Sequence, residues 1–303
     1  MLRLSDLLLL LVVFSSMLAG VFFPHLGRYF QPYPFYCMMF LLFLSFLSLK
    51  LGAIGRTLRD HLSLTVWLTF FKLVALPVLI FFILKATYPR YATAGLLLSG
   101  VSTGVVAPFI ATLVRSNGSL VLLMVVTTSL LVPFTLPLLV KVFVGRALDI
   151  SLIAMMKMLS LIVFVPILAV EGCRKWFPGL LRVLLRCRYP TSLGIFAAIN
   201  LGVFSKYSGY FRQQPGLLVG ASSVALALGG MLFLLGILCA WKAGPMDRLA
   251  SAIAAGNMNN VLIIVFASHF FGPLEATVAA MYMIPFFLLI FALRAYERIF
   301  MKT

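Results

Sequence analysis

Ser99-Gly-Val-Ser-Thr-Gly-Val-Val-Ala-Pro108 and Ala254-Ala-Gly-Asn-Met-Asn-Asn260 are the two stretches whose reading decides the fold. Each is small, polar and helix-weakening, and each interrupts an otherwise apolar run. They lie about 155 residues apart, and Ser116-Asn-Gly118 and Phe271-Gly-Pro273 close the two runs at matching places. Exposed main chain is costly in lipid, so such breaks persist only inside protein or beside a cavity. Paired interruptions at corresponding positions of two halves point to an inverted-repeat transporter whose broken helices cross near the bilayer midplane.

Outward from these breaks the chain is apolar almost everywhere. Of its 303 residues, 63% are hydrophobic and 10% charged, too few to give a soluble domain its polar shell. Stretches of about 20 apolar residues recur at 6–23, 34–51, 62–86, 91–115, 119–144, 151–171, 190–206, 215–241, 247–269 and 274–295. The expectation is an all-α integral membrane protein of ten transmembrane helices. It divides into two inverted five-helix repeats, 1–146 and 147–303, with discontinuous helices 4 and 9. Gln31-Pro-Tyr-Pro34, Arg188-Tyr-Pro190, Gln214-Pro-Gly216 and Gly272-Pro273 mark turns between spans. The first run, Leu7 to Phe23, reads as a retained helix rather than a secretory signal, because no small-residue cleavage site is evident.

The formal charge is +17, from 24 Lys and Arg against 7 Asp and Glu. Fifteen basic residues fall on the side of the N-terminus and seven on the other, with Lys72 and Lys157 inside spans. That bias places both termini in the cytoplasm of a cell inner membrane. Once the spans are assigned, no basic surface is left for nucleic acid. The segment from Glu171 to Arg188 has five basic residues and Trp176, and reads as an amphipathic connector on anionic headgroups. The four cysteines form no C-x-x-C pair and the three histidines are scattered, so no metal centre or cofactor is expected. An intramembrane enzyme would need paired acids, a Ser/His set or a metal cluster, and none is present, so no catalytic residue is assigned.

Several stretches together resemble the bile acid:sodium symporter family. They begin at Met39-Phe-Leu-Leu-Phe-Leu-Ser-Phe-Leu-Ser48 and include Leu113-Val-Arg-Ser-Asn117, similar to the family's Leu-Ala-Arg-Gly-Asn. Thr127-Thr-Ser-Leu-Leu-Val-Pro-Phe-Thr-Leu-Pro137 is similar to its Thr/Ser run with two prolines. The resemblance implies ten helices, a core domain around the crossing helices, a panel domain, and handling of organic anions. It also implies where sodium ligands should lie, and there this chain departs. The family's Ser-Asn pair falls on Ala107-Pro108 and its ninth-helix glutamate on Ala255, while Met258, Asn259 and Asn260 follow in place. Its third-helix Gln becomes Lys72, five residues before Pro77; its fifth-helix threonine becomes Ser129 and a nearby hydroxyl position Val125. Ser129, Met258 and Asn259 are the residual candidates for sodium. With the carboxylate gone and an amine arrived, coupling to protons, or no coupling, is expected as readily as coupling to Na+.

The pathway candidates are Lys72, Ser102, Thr103, Gly104, Pro108, Ser129, Asn200, Asn257, Asn259 and Asn260. Lys72 lies about eleven residues into its span. A cation there costs about 2.5–3.5 kcal/mol on insertion scales. All seven acids (Asp6, Asp60, Asp149, Glu171, Asp247, Glu275, Glu297) lie near span ends or in loops, so its charge must be met by backbone carbonyls, by a bound anion, or by loss of the proton. Either Lys72 stands in for a bound cation or it snorkels to water. Lys157, two turns from Asp149, reads as structural. The three asparagines cap the broken helix, touch substrate, or do both. Pro108 enforces the first break or simply kinks it. Thr127 and Thr128 read as bonding back to their own helix. Asn200 is a weaker cavity candidate. The partners expected are the bilayer and a small organic anion carried by alternating access. A channel or a transport-inactive membrane sensor on the same fold is the alternative.

Overall fold

The computed structural model describes residues 4–47, 62–145, 150–214 and 216–300. Among them all regular structure is helical, apart from one isolated antiparallel bridge between Thr103 and Met258. Lys50, Arg56, Arg59, Asp60, Arg146 and Asp149 lie outside the described residues, as does Pro215 of one expected turn.

Leu4–Phe22 (α1), the short Pro24–Arg28 (α2) and Pro34–Phe46 (α3) come first. Leu62–Thr87 (α4) carries a π-helical turn over Phe71–Ala75. Ala92–Gly100 (α5) and Ala107–Leu113 (α6) are halves of one interrupted run, and Gly118–Phe143 (α7) follows. Leu152–Trp176 (α8), Pro178–Lys206 (α9), the short Ser208–Gln213 (α10) and Gly216–Cys239 (α11) come next. Pro245–Gly256 (α12) and Asn260–Phe270 (α13) form the second interrupted run. Pro273–Met281 (α14) and Met283–Phe300 (α15), joined through Tyr282, make a 28-residue span.

Five stretches are long and apolar enough to cross a membrane: Leu62–Thr87, Gly118–Phe143, Leu152–Trp176, Gly216–Cys239 and Pro273–Phe300. Leu11–Phe22, α3 and α13 are apolar but shorter. These mark a multi-pass membrane protein. The interrupted runs are short piece by piece because of the breaks. The nine residues of α5 rise about 13 Å and the seven of α6 about 10 Å, so neither half alone spans a hydrocarbon layer about 30 Å thick.

Local chemistry explains most boundaries. Asn117 caps α7 by accepting from Leu120 N at 3.0 Å, and Ser151 caps α8 by accepting from Ala154 N at 3.3 Å. Pro24, Pro34, Pro178, Pro245 and Pro273 each open a helix, where a missing N–H costs nothing. One expected boundary is wrong. Arg188-Tyr-Pro190 is no turn, because α9 runs unbroken through Pro190 from Pro178. The basic connector is therefore the exposed first half of a 29-residue helix, with Arg182 and Arg186 exposed on it. α8 likewise continues beyond residue 171 to Trp176, with a Glu171–Arg174 ion pair at 2.8 Å on that extension.

Helix packing falls into two groups. α1, α2, α3, α8 and α9 pack on one another, and α4–α7 pack with α11–α15. The groups meet where α8 lies against α7 and where α13 touches α3 and α9.

Candidate functional site

Both interruptions lie in the second group, and they are stitched together. Gly104 N donates to Asn257 O at 2.8 Å, and Asn259 N donates to Ser102 O at 3.0 Å, on either side of the Thr103–Met258 bridge. Main-chain groups freed by one break are thus satisfied by the other, which is how an open backbone persists away from water. A Cβ on Gly104 would stand 2.8 Å from Met258 O and 3.0 Å from Asn257 O, so the close approach requires glycine. Pro108 sits in the first turn of α6, where it starts the second half-helix rather than kinking a continuous one.

Side chains add a second layer. Thr103 Oγ1 donates to Ala254 O at 3.0 Å, and Thr103 N donates to Thr128 Oγ1 at 3.0 Å. Asn259 caps α13 by accepting from Leu262 N at 3.3 Å. Asn257 Nδ2 donates to Phe286 O at 3.2 Å, and Asn260 Nδ2 points at Met283 Sδ at 3.2 Å. Ser102 Oγ, Asn257 Oδ1 and Asn260 Oδ1 are buried without a hydrogen-bond partner. Buried polar atoms normally find partners, and these three oxygens gather on the two adjoining breaks.

The half-helices also bring their ends together. α5 and α12 finish at the breaks and α6 and α13 begin there, so two negative and two positive dipole ends converge. The terminus of α12 is served by Tyr282, a fully buried residue whose hydroxyl donates to Gly256 O at 2.9 Å. That of α5 is served by Lys72. Its Nζ donates to Ser99 O at 2.6 Å from the π-helical turn of α4, and the residue is 1% exposed. Among the described residues the ion pairs are Glu171–Arg174 and Arg115–Glu297, and neither includes Lys72. Lys72 therefore does not snorkel; its amino group rests on a helix C-terminus. π-turns often mark functional positions, and here the wider turn holds the lysine beside the first break.

Not every candidate joins this site. Asn200 is fully buried, but its amide donates to Val13 O at 3.2 Å and Ser16 Oγ at 3.3 Å, holding α9 to α1 rather than touching either break. Ser129 is buried in α7 one residue beyond Thr128, which makes the contact to Thr103 instead. Thr127 and Thr128 do bond back to their own helix, at Leu123 O and Met124 O, and Thr127 also meets Thr69 Oγ1 at 3.0 Å. Ala107 and Ala255, where the resemblance puts sodium ligands, are buried methyl groups. Among the described residues, the oxygens near the crossing are amides, hydroxyls and carbonyls, with no carboxylate beside them.

Sequence reasoning missed Tyr282 and the contact of Thr128 to Thr103, which depend on which break each helix faces. It also missed a cavity of about 480 Å³ in the seam between the helix groups, lined by the α2–α3 connection and by α8, α9 and α13. Lys157, read as structural, lines it.

A family model described as the Sodium Bile acid symporter family matches residues 35–214, well over half of the chain. That span includes Lys72 and the first break. No curated protein matches the chain.

Proposed function

The chain belongs to the sodium bile acid symporter family, and from that premise we propose that it is a secondary transporter moving a small organic anion by alternating access. The observation that carries this reading is the crossing. Orphan oxygens on Ser102, Asn257 and Asn260 adjoin two helix N-termini inside the protein. The orphan oxygens accept from hydroxyl or amide donors of a polar guest, and the N-termini of α6 and α13 favour a negative group elsewhere on the same molecule. The proposed arrangement is ten spans in two inverted repeats, 1–146 and 147–303, with both termini cytoplasmic in the cell inner membrane. α4–α7 with α11–α15 serve as the core, and α1–α3 with α8 and α9 as the panel it moves against.

Lys72 sets the coupling. An ammonium already on the carbonyl end of α5 supplies the positive charge that a bound cation would otherwise bring. Transport accordingly does not require sodium, and a proton or no ion accompanies the anion.

Two measurements test this. In proteoliposomes, labelled aryl and aliphatic carboxylates and sulfonates are screened for saturable uptake accelerated by unlabelled anion inside. Accelerated exchange supports a carrier; flux without it is channel behaviour, and no flux for any anion removes the transport reading. Separately, the purified protein should melt at the same temperature in sodium, potassium and choline chloride of equal ionic strength. A sodium-specific rise, which any ion binding only the folded state produces, would restore sodium coupling.

A further inference from the structure

The first half of α9 has protein against one stripe of its surface and little elsewhere. Residues 190–206 rise about 25 Å and come close to filling a hydrocarbon layer by themselves, so residues 178–189, about 18 Å more, are surplus to the crossing. α8 reaches the same corner, and Phe177 alone separates the two helices. At this corner Trp176, Phe177, Leu180 and Val183 are each more than half exposed. Lys175, Arg182 and Arg186 are exposed among them, and no acid lies between residues 172 and 189.

The helix sorts these residues into adjacent stripes. Leu181, Leu184 and Arg188 are half-buried, and the two leucines pack on the protein core. Leu180, Val183 and Cys187 form the next stripe and are exposed, with Arg182 and Arg186, one turn apart, beyond them. Glu171 does not neutralise this charge. It pairs with Arg174 at 2.8 Å, whose guanidinium also donates to Phe46 O and Leu47 O at 3.4 Å. Neither Arg182 nor Arg186 forms an ion pair among the described residues.

Neither bulk medium suits such a surface. In water the aromatic and aliphatic side chains would stand exposed as a patch, and in hydrocarbon the arginines would be costly. The boundary between the two satisfies both, with the apolar stripe against acyl chains and the basic groups at the phosphates.

We propose that residues 175–186, at the corner of α8 and α9, form a docking surface for anionic phospholipid. Lys175, Arg182 and Arg186 face the headgroup phosphates, while Trp176, Phe177, Leu180 and Val183 lie against the acyl chains. Charge complementarity selects the occupant, since three basic side chains meet it with no acid among them. Because α9 goes on to pack against α1, α2 and α3, lipid held here ties that helix group to its leaflet. The inference is independent of which solute the protein moves and of whether it moves one.

Trp176 serves as the reporter. With Trp67→Phe and Trp241→Phe it is the one tryptophan left of three, and its fluorescence is quenched by phospholipids brominated near the headgroup end of their chains. Full-length protein is reconstituted in equimolar phosphatidylglycerol and phosphatidylcholine, with one lipid or the other brominated. Phosphatidylglycerol should be favoured beside Trp176 by about fivefold, the factor that one interfacial basic residue supplies, and added salt should reduce that preference. Arg182→Gln with Arg186→Gln should abolish it. Arg182→Lys with Arg186→Lys, which keeps the charge, should retain most of it, and Lys141→Gln at the end of α7 should leave it unchanged. Equal quenching by the two lipids in the wild type overturns the proposal, as does a preference that survives the glutamine pair or is lost with the lysine pair. So does a Trp176 quenched by neither lipid, the result expected if a second copy of the chain covered this surface.

Discussion

At Lys72 the chain buries an ammonium 1% exposed and gives it a carbonyl rather than a carboxylate. A group placed there for stability alone would be a poor choice, since isolated buried charge is destabilising and an apolar replacement of similar length often improves the fold. Lys72→Met should therefore keep or raise the melting temperature. Transport should nevertheless fall about tenfold or more, because the end of α5 loses its charge-assisted donor. Uptake and thermal denaturation measured on the same preparation separate the two effects; a variant that melts lower yet transports normally would make Lys72 a structural anchor. Gly104 gives the complementary case. Gly104→Val places a side chain against Met258 O and Asn257 O, so the strands of the bridge must part, at a cost of about 1–3 kcal/mol. Both stability and uptake should drop, and a wild-type melting curve for this variant would contradict the crossing.

At the scale of elements, the breaks were legible because they depend on local chemistry: glycine, hydroxyls, amides and a proline placed inside apolar runs. The same locality makes the cap at the second break testable. Asn259→Ala removes the acceptor for Leu262 N and should cost about 1 kcal/mol, while Asn259→Ser should retain most of the stability. Equal melting temperatures for the two variants would mean that the asparagine is held for a guest and not for the helix. What the sequence concealed was relational. Pro190 carries a stop signal, yet α9 continues through it: proline removes one main-chain donor, which can bend a helix without ending it, and here a packed half follows an exposed one. Asn200 looked like a cavity residue because polar side chains at membrane depth often are, but its partners, Val13 and Ser16, lie over 180 residues away in sequence. Lys157 reads as structural from its spacing to Asp149, and that it lines the same cavity as Lys206 and His269 depends on the placement of three helices that are distant in sequence.

For the whole molecule, the decisive relation is between the two helix groups. Each packs within itself, α8 also lies closely against α7 of the other group, and the cavity sits in the seam between them. Packed groups of helices move as units because interdigitated interiors resist continuous deformation, and a seam between two units is where relative motion costs least. The contact from Tyr207 and Lys206 of one group to Ser268 of the other bridges that seam, so the alternating access proposed above would have to break it in each cycle. Joining the groups there should stop transport without unfolding the protein. With Cys37, Cys173, Cys187 and Cys239 first replaced by alanine or serine, Tyr207→Cys and Ser268→Cys can be bridged by a short bismaleimide. The bridged protein should lose uptake almost completely while melting no lower than the unbridged one, and each single-cysteine variant should be indifferent to the reagent. Undiminished uptake in a fully bridged sample would mean that the two groups do not separate at this end of the seam, and the motion assigned to them here would have to be abandoned.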